Sequence, residues 1–158
     1  MKVNLIINGA SHLTDVAPGE TLLELLRREG YKSVKKGCGT GDCGACAVLL
    51  NGRAVNSCLV LAAKADGAEV KTLEGISDGD SLHPVQQAFL DCGAVQCGYC
   101  TPAMVLTTID FLSRNPDPTD NEIRAAISGN LCRCTGYEKQ VEAIRQAAAA
   151  MRGGPNVA

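Results

Sequence analysis

The chain has 158 residues, 46% hydrophobic and 20% charged, the composition of a folded globular protein rather than a disordered one. The net charge is −2 and aromatic residues make up only 3%, with no Trp. It therefore has neither a basic phosphate-tracking face nor base-stacking platforms, and nucleic acid is excluded as a partner. Apolar runs such as Ala45 to Leu50 and Cys58 to Ala63 fall far short of the ~18 residues of a membrane span, and no apolar leader follows Met1-Lys2-Val3-Asn4. A cytoplasmic protein is expected. In that compartment its nine cysteines are candidate metal ligands rather than disulfide partners.

Residues 2–7 alternate in hydrophobicity and lead to Asn8-Gly9, a hairpin dipeptide, so a strand is expected there and a second from Ser11 to Val16. Thr21 and Glu24 make a capping box, and Leu22, Leu25 and Leu26 share a helical face that ends at Gly30. Next comes Cys38-x4-Cys43-x2-Cys46, with Cys58 eleven residues further on, the plant-type [2Fe-2S] spacing. Gly37, Gly39, Gly41 and Gly44 interleave with these cysteines. A loop wrapping a cluster needs positive φ and close backbone approach, with N–H groups aimed at sulfur. A structural zinc site competes with this reading. Zinc sites favour C-x2–4-C pairs, often with His, and neither His12 nor His83 neighbours a cysteine group. Lys32, Lys35 and Lys36 read as a solvated face. Ala47 to Leu50 and Arg53 to Val55 flank Asn51-Gly52, a second hairpin. A short helix is expected after Ser57, and a last strand from Glu69 to Leu73.

Residues 77–82 form a polar linker, and every segment after His83-Pro84 reads as helix. The stripes are Val85, Ala88 and Phe89; then Val105, Ile109 and Leu112, opened by Pro102 at the first helical position and closed by Asn115-Pro116; then Ile123, Ala126 and Ile127 behind the Thr119/Glu122 capping box; then Val141, Ile144, Ala148 and Met151. Such a pattern argues for a four-helix bundle. Within it lie Cys97-x2-Cys100, at a helix N-terminus that favours thiolates, and Cys132-x-Cys134, whose extended backbone would put both sulfurs on one side and Arg133 on the other. Two such pairs can grip one compact centre. A thioredoxin-like C-x-x-C pair is the alternative, but it wants a βαβ context and leaves Cys132 and Cys134 unused. Cys92, on the face of Val85, reads as a buried thiol, and His83 as a helix-starting residue. Divided at the linker, each half has a core that rarely supplies more than ~3–5 kcal/mol unaided, so each needs its cysteine-bound staple.

Three stretches carry a resemblance: Lys36-Gly37-Cys38-Gly39-Thr40-Gly41-Asp42-Cys43-Gly44-Ala45-Cys46, Gln96-Cys97-Gly98-Tyr99-Cys100-Thr101-Pro102, and Gly129-Asn130-Leu131-Cys132-Arg133-Cys134-Thr135-Gly136-Tyr137. In this order they resemble the iron–sulfur subunit of the xanthine dehydrogenase family of molybdenum hydroxylases, over nearly the whole chain. The resemblance implies an α+β fold, with an N-terminal β-grasp (plant-type ferredoxin-like) domain over 1–76, the 77–82 linker, and an all-α four-helix-bundle domain over 83–158. It implies one [2Fe-2S] cluster on Cys38, Cys43, Cys46 and Cys58 and another on Cys97, Cys100, Cys132 and Cys134. The family's pterin contacts fall on Gln96 and Cys134. Ala47, Ala103 and Gln140 depart from residues usual in the family, and none is a ligand.

The expected function is electron transfer from a molybdopterin centre through two [2Fe-2S] clusters to FAD, as one subunit of an oxidoreductase. The molybdenum cofactor and FAD would sit on a large molybdopterin-binding subunit and an FAD-binding subunit. The assembly would be a hetero-oligomer, a dimer of heterotrimers being one form. No substrate site is expected on this chain. A xanthine-like N-heterocycle is favoured, with aldehydes, nicotinate and carbon monoxide left open. The competing functions are a free-standing two-cluster ferredoxin and a zinc-stapled adaptor.

Overall fold

The computed structural model describes residues 1–153, so 154–158 of the expected second half lie outside the described residues. Strand β1 (Lys2–Ile7) buries Val3, Leu5 and Ile7 and exposes the residues between them, the period of a half-buried strand. Asn8 (φ 51) and Gly9 (φ 85) both take the left-handed conformation of a two-residue hairpin turn. That turn pairs Ile7 with Ala10 and Lys2 with Asp15, so β2 is Ala10–Asp15, one residue earlier than the sequence suggests. Helix α1 (Leu22–Arg28) starts on the expected box. Thr21 Oγ1 accepts the Glu24 N–H at 3.2 Å and Glu24 Oε2 accepts the Thr21 N–H at 3.0 Å.

The hairpin β3 (Ala47–Leu50) and β4 (Arg53–Asn56) and the short β5 (Glu69–Lys71) complete a five-stranded sheet of order β2-β1-β5-β3-β4. Only the β1–β5 pair is parallel. Leu22, Leu23, Leu25 and Leu26 of α1 lie across it against Val3, Leu5, Ile7, Val48 and Val70. This is the ferredoxin-like half. Strand β5 stops at Lys71 because Asn8 captures Thr72, accepting its N–H and donating to its hydroxyl, both at 2.9 Å. The helix expected after Ser57 is two separate 3₁₀ turns, Ser57–Leu59 and Ala62–Ala65.

Four helices follow: α2 (Pro84–Asp91), α3 (Thr101–Arg114), α4 (Asp120–Ile127) and α5 (Glu138–Gly153). Thr101 opens α3, so Pro102 is its second residue rather than its first. Val85, Phe89, Met104, Leu112, Ile123, Ile127, Val141 and Ile144 fill a second core. Leu73 packs against that core from the chain that leads into it. Residues 77–82 are not slack. Asp78 and Ser81 exchange backbone hydrogen bonds at 3.1 and 3.0 Å, and Ser77 Oγ donates to Gln86 Oε1 at 3.0 Å. Among the described residues, no helix is long and apolar enough to cross a membrane.

Candidate metal centres

The first cysteine group lies where α1 hands over to β3. Cys46 is buried immediately before β3 and Cys58 is buried in the turn after β4, so the hairpin itself brings them together. The Cys46 carbonyl accepts from both the Ser57 hydroxyl (2.7 Å) and the Ser57 N–H (3.4 Å), fixing that meeting. Cys38 and Cys43 form the outer pair. Cys38 Sγ accepts the N–H groups of Thr40 (3.3 Å) and Cys43 (3.4 Å), while Cys43 Sγ accepts the Cys38 N–H (3.3 Å). These are the N–H–to–sulfur bonds the glycine-rich loop was expected to make. The Thr40 hydroxyl and those N–H groups pull the Cys38 thiol down to about 6. Burial, and then the Cys46 thiol it touches, push Cys58 up to about 11. Gly37 serves close approach rather than positive φ, since a Cβ there would sit 2.6 Å from Cys43 Sγ.

The second group gathers from the N-terminal end of α3 and the segment between α4 and α5. Cys100 is the N-cap of α3 and its thiol meets Cys132; Cys97, three residues earlier, meets Cys134. Cys132 and Cys134 thus reach two different partners; Arg133 between them is exposed, and the chain bends at Arg133 and Cys134 instead of running extended. Tyr137 holds this segment. Its hydroxyl accepts the Cys132 N–H at 2.7 Å and donates to the Asn130 carbonyl at 3.2 Å. The Tyr99 N–H, followed by the Cys134 thiol, lowers Cys97, and contact with Cys97 raises Cys134. Burial opposes ionisation of Cys132, but the Thr135 hydroxyl at 3.1 Å and nearby N–H groups outweigh it. Cys100 departs from expectation. Burial and the Cys132 thiol push it up to about 12, so its place at a helix N-terminus does not decide its ionisation.

The two groups adjoin. The Leu131 N–H donates to the Cys43 carbonyl at 2.9 Å, one residue from Cys132, and the Tyr99 hydroxyl donates to the Lys36 carbonyl at 2.7 Å, two residues from Cys38. Asn130 Nδ2 donates to the Gly44 carbonyl at 3.1 Å. Asn130, Tyr99 and Tyr137 sit inside the motifs quoted above, but nothing in the sequence marks them as the joints between the loops. Gln96 is exposed beside Cys97. Cys92 lies apart from both groups, 9% exposed in the bundle core. His83 is the N-cap of α2, its Nδ1 accepting the Val85 N–H at 3.2 Å. Gln140 is fully buried, donating to the Ala94 carbonyl at 2.8 Å, with no partner for its Oε1 among the described residues.

The donor chemistry fits iron–sulfur clusters. Each group is two thiol pairs, Cys38/Cys43 with Cys46/Cys58 and Cys97/Cys134 with Cys100/Cys132. A four-thiolate zinc site needs all four sulfurs around one centre, whereas a [2Fe-2S] cluster takes two on each of its irons.

Known proteins carry the same pattern. Residues 5–73 match the 2Fe-2S iron-sulfur cluster binding domain family, and residues 72–145 match the [2Fe-2S] binding domain family. The chain is 51% identical over 146 residues to the nicotinate dehydrogenase small FeS subunit of Eubacterium barkeri, covering 92% of this chain and 93% of that one. It is 49% identical over 144 residues to the xanthine dehydrogenase iron-sulfur-binding subunit of Escherichia coli O157:H7, covering 90% and 91%. A chain of the crystal structure of quinoline 2-oxidoreductase from Pseudomonas putida 86 superposes with a TM-score of 0.93 at 41% identity, covering 98% of this chain and 97% of that one.

Proposed function

Because the chain belongs to the [2Fe-2S] iron–sulfur subunits of the molybdenum hydroxylases, we propose that it is the electron relay between a substrate-oxidising molybdenum subunit and a flavin subunit. Cys97, Cys100, Cys132 and Cys134 would hold one [2Fe-2S] cluster and Cys38, Cys43, Cys46 and Cys58 the other. Each such cluster, when bound, takes up and gives back one electron at a time.

The observation that carries this reading is the Leu131 N–H to Cys43 carbonyl hydrogen bond at 2.9 Å. It joins the backbone beside one cysteine group directly to a cysteine of the other, so the chain supplies a short, rigid path between the two sites. The exposed Gln96 and Cys134 flank the bundle site, and they are the groups that would face the pterin of the large subunit. The exposed Cys38 edge of the ferredoxin-like half is left for the flavin subunit. The halves meet these partners as 1–76 and 83–158, in a hetero-oligomer. The substrate pocket belongs to the large subunit. The three relatives above are named for nicotinate, xanthine and quinoline, which supports an N-heterocycle as substrate. Eight thiols held ready for iron suit a reducing compartment, the cytoplasm.

Cys134→Ala in the assembled enzyme tests the relay, once co-elution of the subunits establishes assembly. Substrate should still reduce the molybdenum subunit, while turnover with a flavin-linked acceptor is abolished. Wild-type turnover through the flavin in the intact mutant complex would contradict the proposal. A chain that purifies with stoichiometric zinc instead, or that never associates with larger subunits, would favour the adaptor or the free-standing ferredoxin.

A further inference from the structure

Strands β3 and β4 pack against α3, and two further contacts between the halves stand out, one just beyond α4 and one on α3. Beside the cysteine loops the contact is backbone on backbone. Gly44 (φ 66) lies so close to Gly129 that a Cβ on it would sit 2.1 Å from the Gly129 carbonyl oxygen. Toward the C-terminal end of α3 a carboxylate adds to the packing of β3 and β4. Asp110 is 5% exposed, and its Oδ2 accepts the Ala54 N–H of β4 at 3.2 Å. Its Oδ1 meets Arg53 Nε of the same strand at 3.2 Å. Arg114, one turn along α3, supplies Nε to Oδ1 and Nη2 to Oδ2, both at 3.1 Å. A carboxylate is costly to bury unless charged and hydrogen-bonding partners surround it. Here Ala54 and Arg53 are in place only when β4 is seated on α3. Neither cysteine site uses Asp110.

We propose that Asp110 is a positioning residue, a latch that fixes the angle of the ferredoxin-like half on the bundle and with it the separation and orientation of the two cysteine sites. Two arms run from the latch. Ten helical residues lead from Asp110 back to Cys100, about 15 Å at 1.5 Å per residue. Four residues lead from Ala54 to Cys58, at most about 13 Å along an extended chain. The arms are of similar length and run to one cysteine of each site. With the glycine contact closing the near end, seating Ala54 on Asp110 sets how Cys58 stands relative to Cys100. Without the latch, the packing of β3 on α3 and the glycine contact would still join the halves, while β4 would be free to shift on α3.

This inference rests on the ligand reading above, and magnetic resonance of the assembled enzyme with both clusters reduced separates the two. Wild type should give two signals, each split by magnetic coupling to the other centre. A single signal in wild type would overturn both the ligand reading and the latch. Asp110→Asn, which keeps the shape and an acceptor but not the charge, should change the splitting at unchanged iron content. Arg53→Gln, on an exposed side chain, should shift it in the same direction by less, and carries the test alone if Asp110→Asn fails to assemble. Arg114→Gln breaks a pair internal to α3 and should leave the splitting at the wild-type value. Two split signals that stay unchanged in Arg53→Gln and in any assembled Asp110→Asn enzyme, with only the melting temperature lowered, would overturn the latch alone. So would an Arg114→Gln shift as large as that of Arg53→Gln.

Discussion

Thr108 lies fully buried on α3, and its Oγ1 has no hydrogen-bond partner among the described residues. An unsatisfied buried hydroxyl costs on the order of 1–3 kcal/mol, whereas an apolar group of the same shape costs nothing comparable. Thr108→Val should therefore stabilise the protein by about 1 kcal/mol, read as a higher denaturation midpoint at unchanged iron content. A lower midpoint would mean that the hydroxyl is satisfied in the molecule. Gln140 differs, because its amide donates to Ala94 in the loop leading to Cys97, so only its oxygen is idle. Cys92 packs in the bundle core, where burial pushes its thiol up from the usual range. Cys92→Ala removes a small buried side chain and should cost on the order of 1 kcal/mol. Iron analysis of that variant should match wild type, and a loss of one cluster's iron would make Cys92 a ligand.

Helix α2 hangs on a titratable cap. Neutral His83 accepts the Val85 N–H through Nδ1, and burial holds its pKa below the usual 6.5. Protonation would remove that acceptor and set a positive charge against the helix N-terminus. Since the folded value is depressed, the cap's contribution is complete above pH 6.5 and is lost as pH falls through the lower folded value. Denaturation midpoints from pH 7 downward should show this loss above the window in which the capping glutamates titrate. His83→Asn, which caps without titrating, should flatten it, and an identical profile in the variant would refute the role. His83→Ala should cost about 1 kcal/mol at neutral pH. Local chemistry of this kind was largely legible in the sequence. The two Asn-Gly turns, the Thr21 and Thr119 boxes and the Pro-opened helices follow from rules about neighbouring residues. The misplacements have two kinds of cause: Asn8 captures Thr72, 64 positions away, and ends β5 early, whereas β2 starts one residue sooner because the local two-residue turn pairs Ile7 with Ala10.

At the scale of the molecule, cysteine spacing announced two centres, but which thiol meets which, and how closely the centres adjoin, was not legible. The joints explain why. Leu131 N–H on Cys43, Asn130 on Gly44 and Tyr99 on Lys36 all end on backbone carbonyls, which every residue carries, so no side-chain signal marks the receiving end. Asp110 likewise reads as an ordinary polar position until β4 is laid against it. Each half has its own core, each core is small, and metal bound to the eight proposed ligands would contribute folding free energy to both. Losing one centre should therefore loosen its own half while sparing the other. Cys43→Ser should remove one of the two reduced-cluster resonances and leave the second, and loss of both from folded protein would mean a shared centre. The most direct measurement is the iron and acid-labile sulfide content of the purified chain. Two separate clusters predict roughly four irons and four sulfides per chain. Stoichiometric zinc without iron or sulfide would contradict the account.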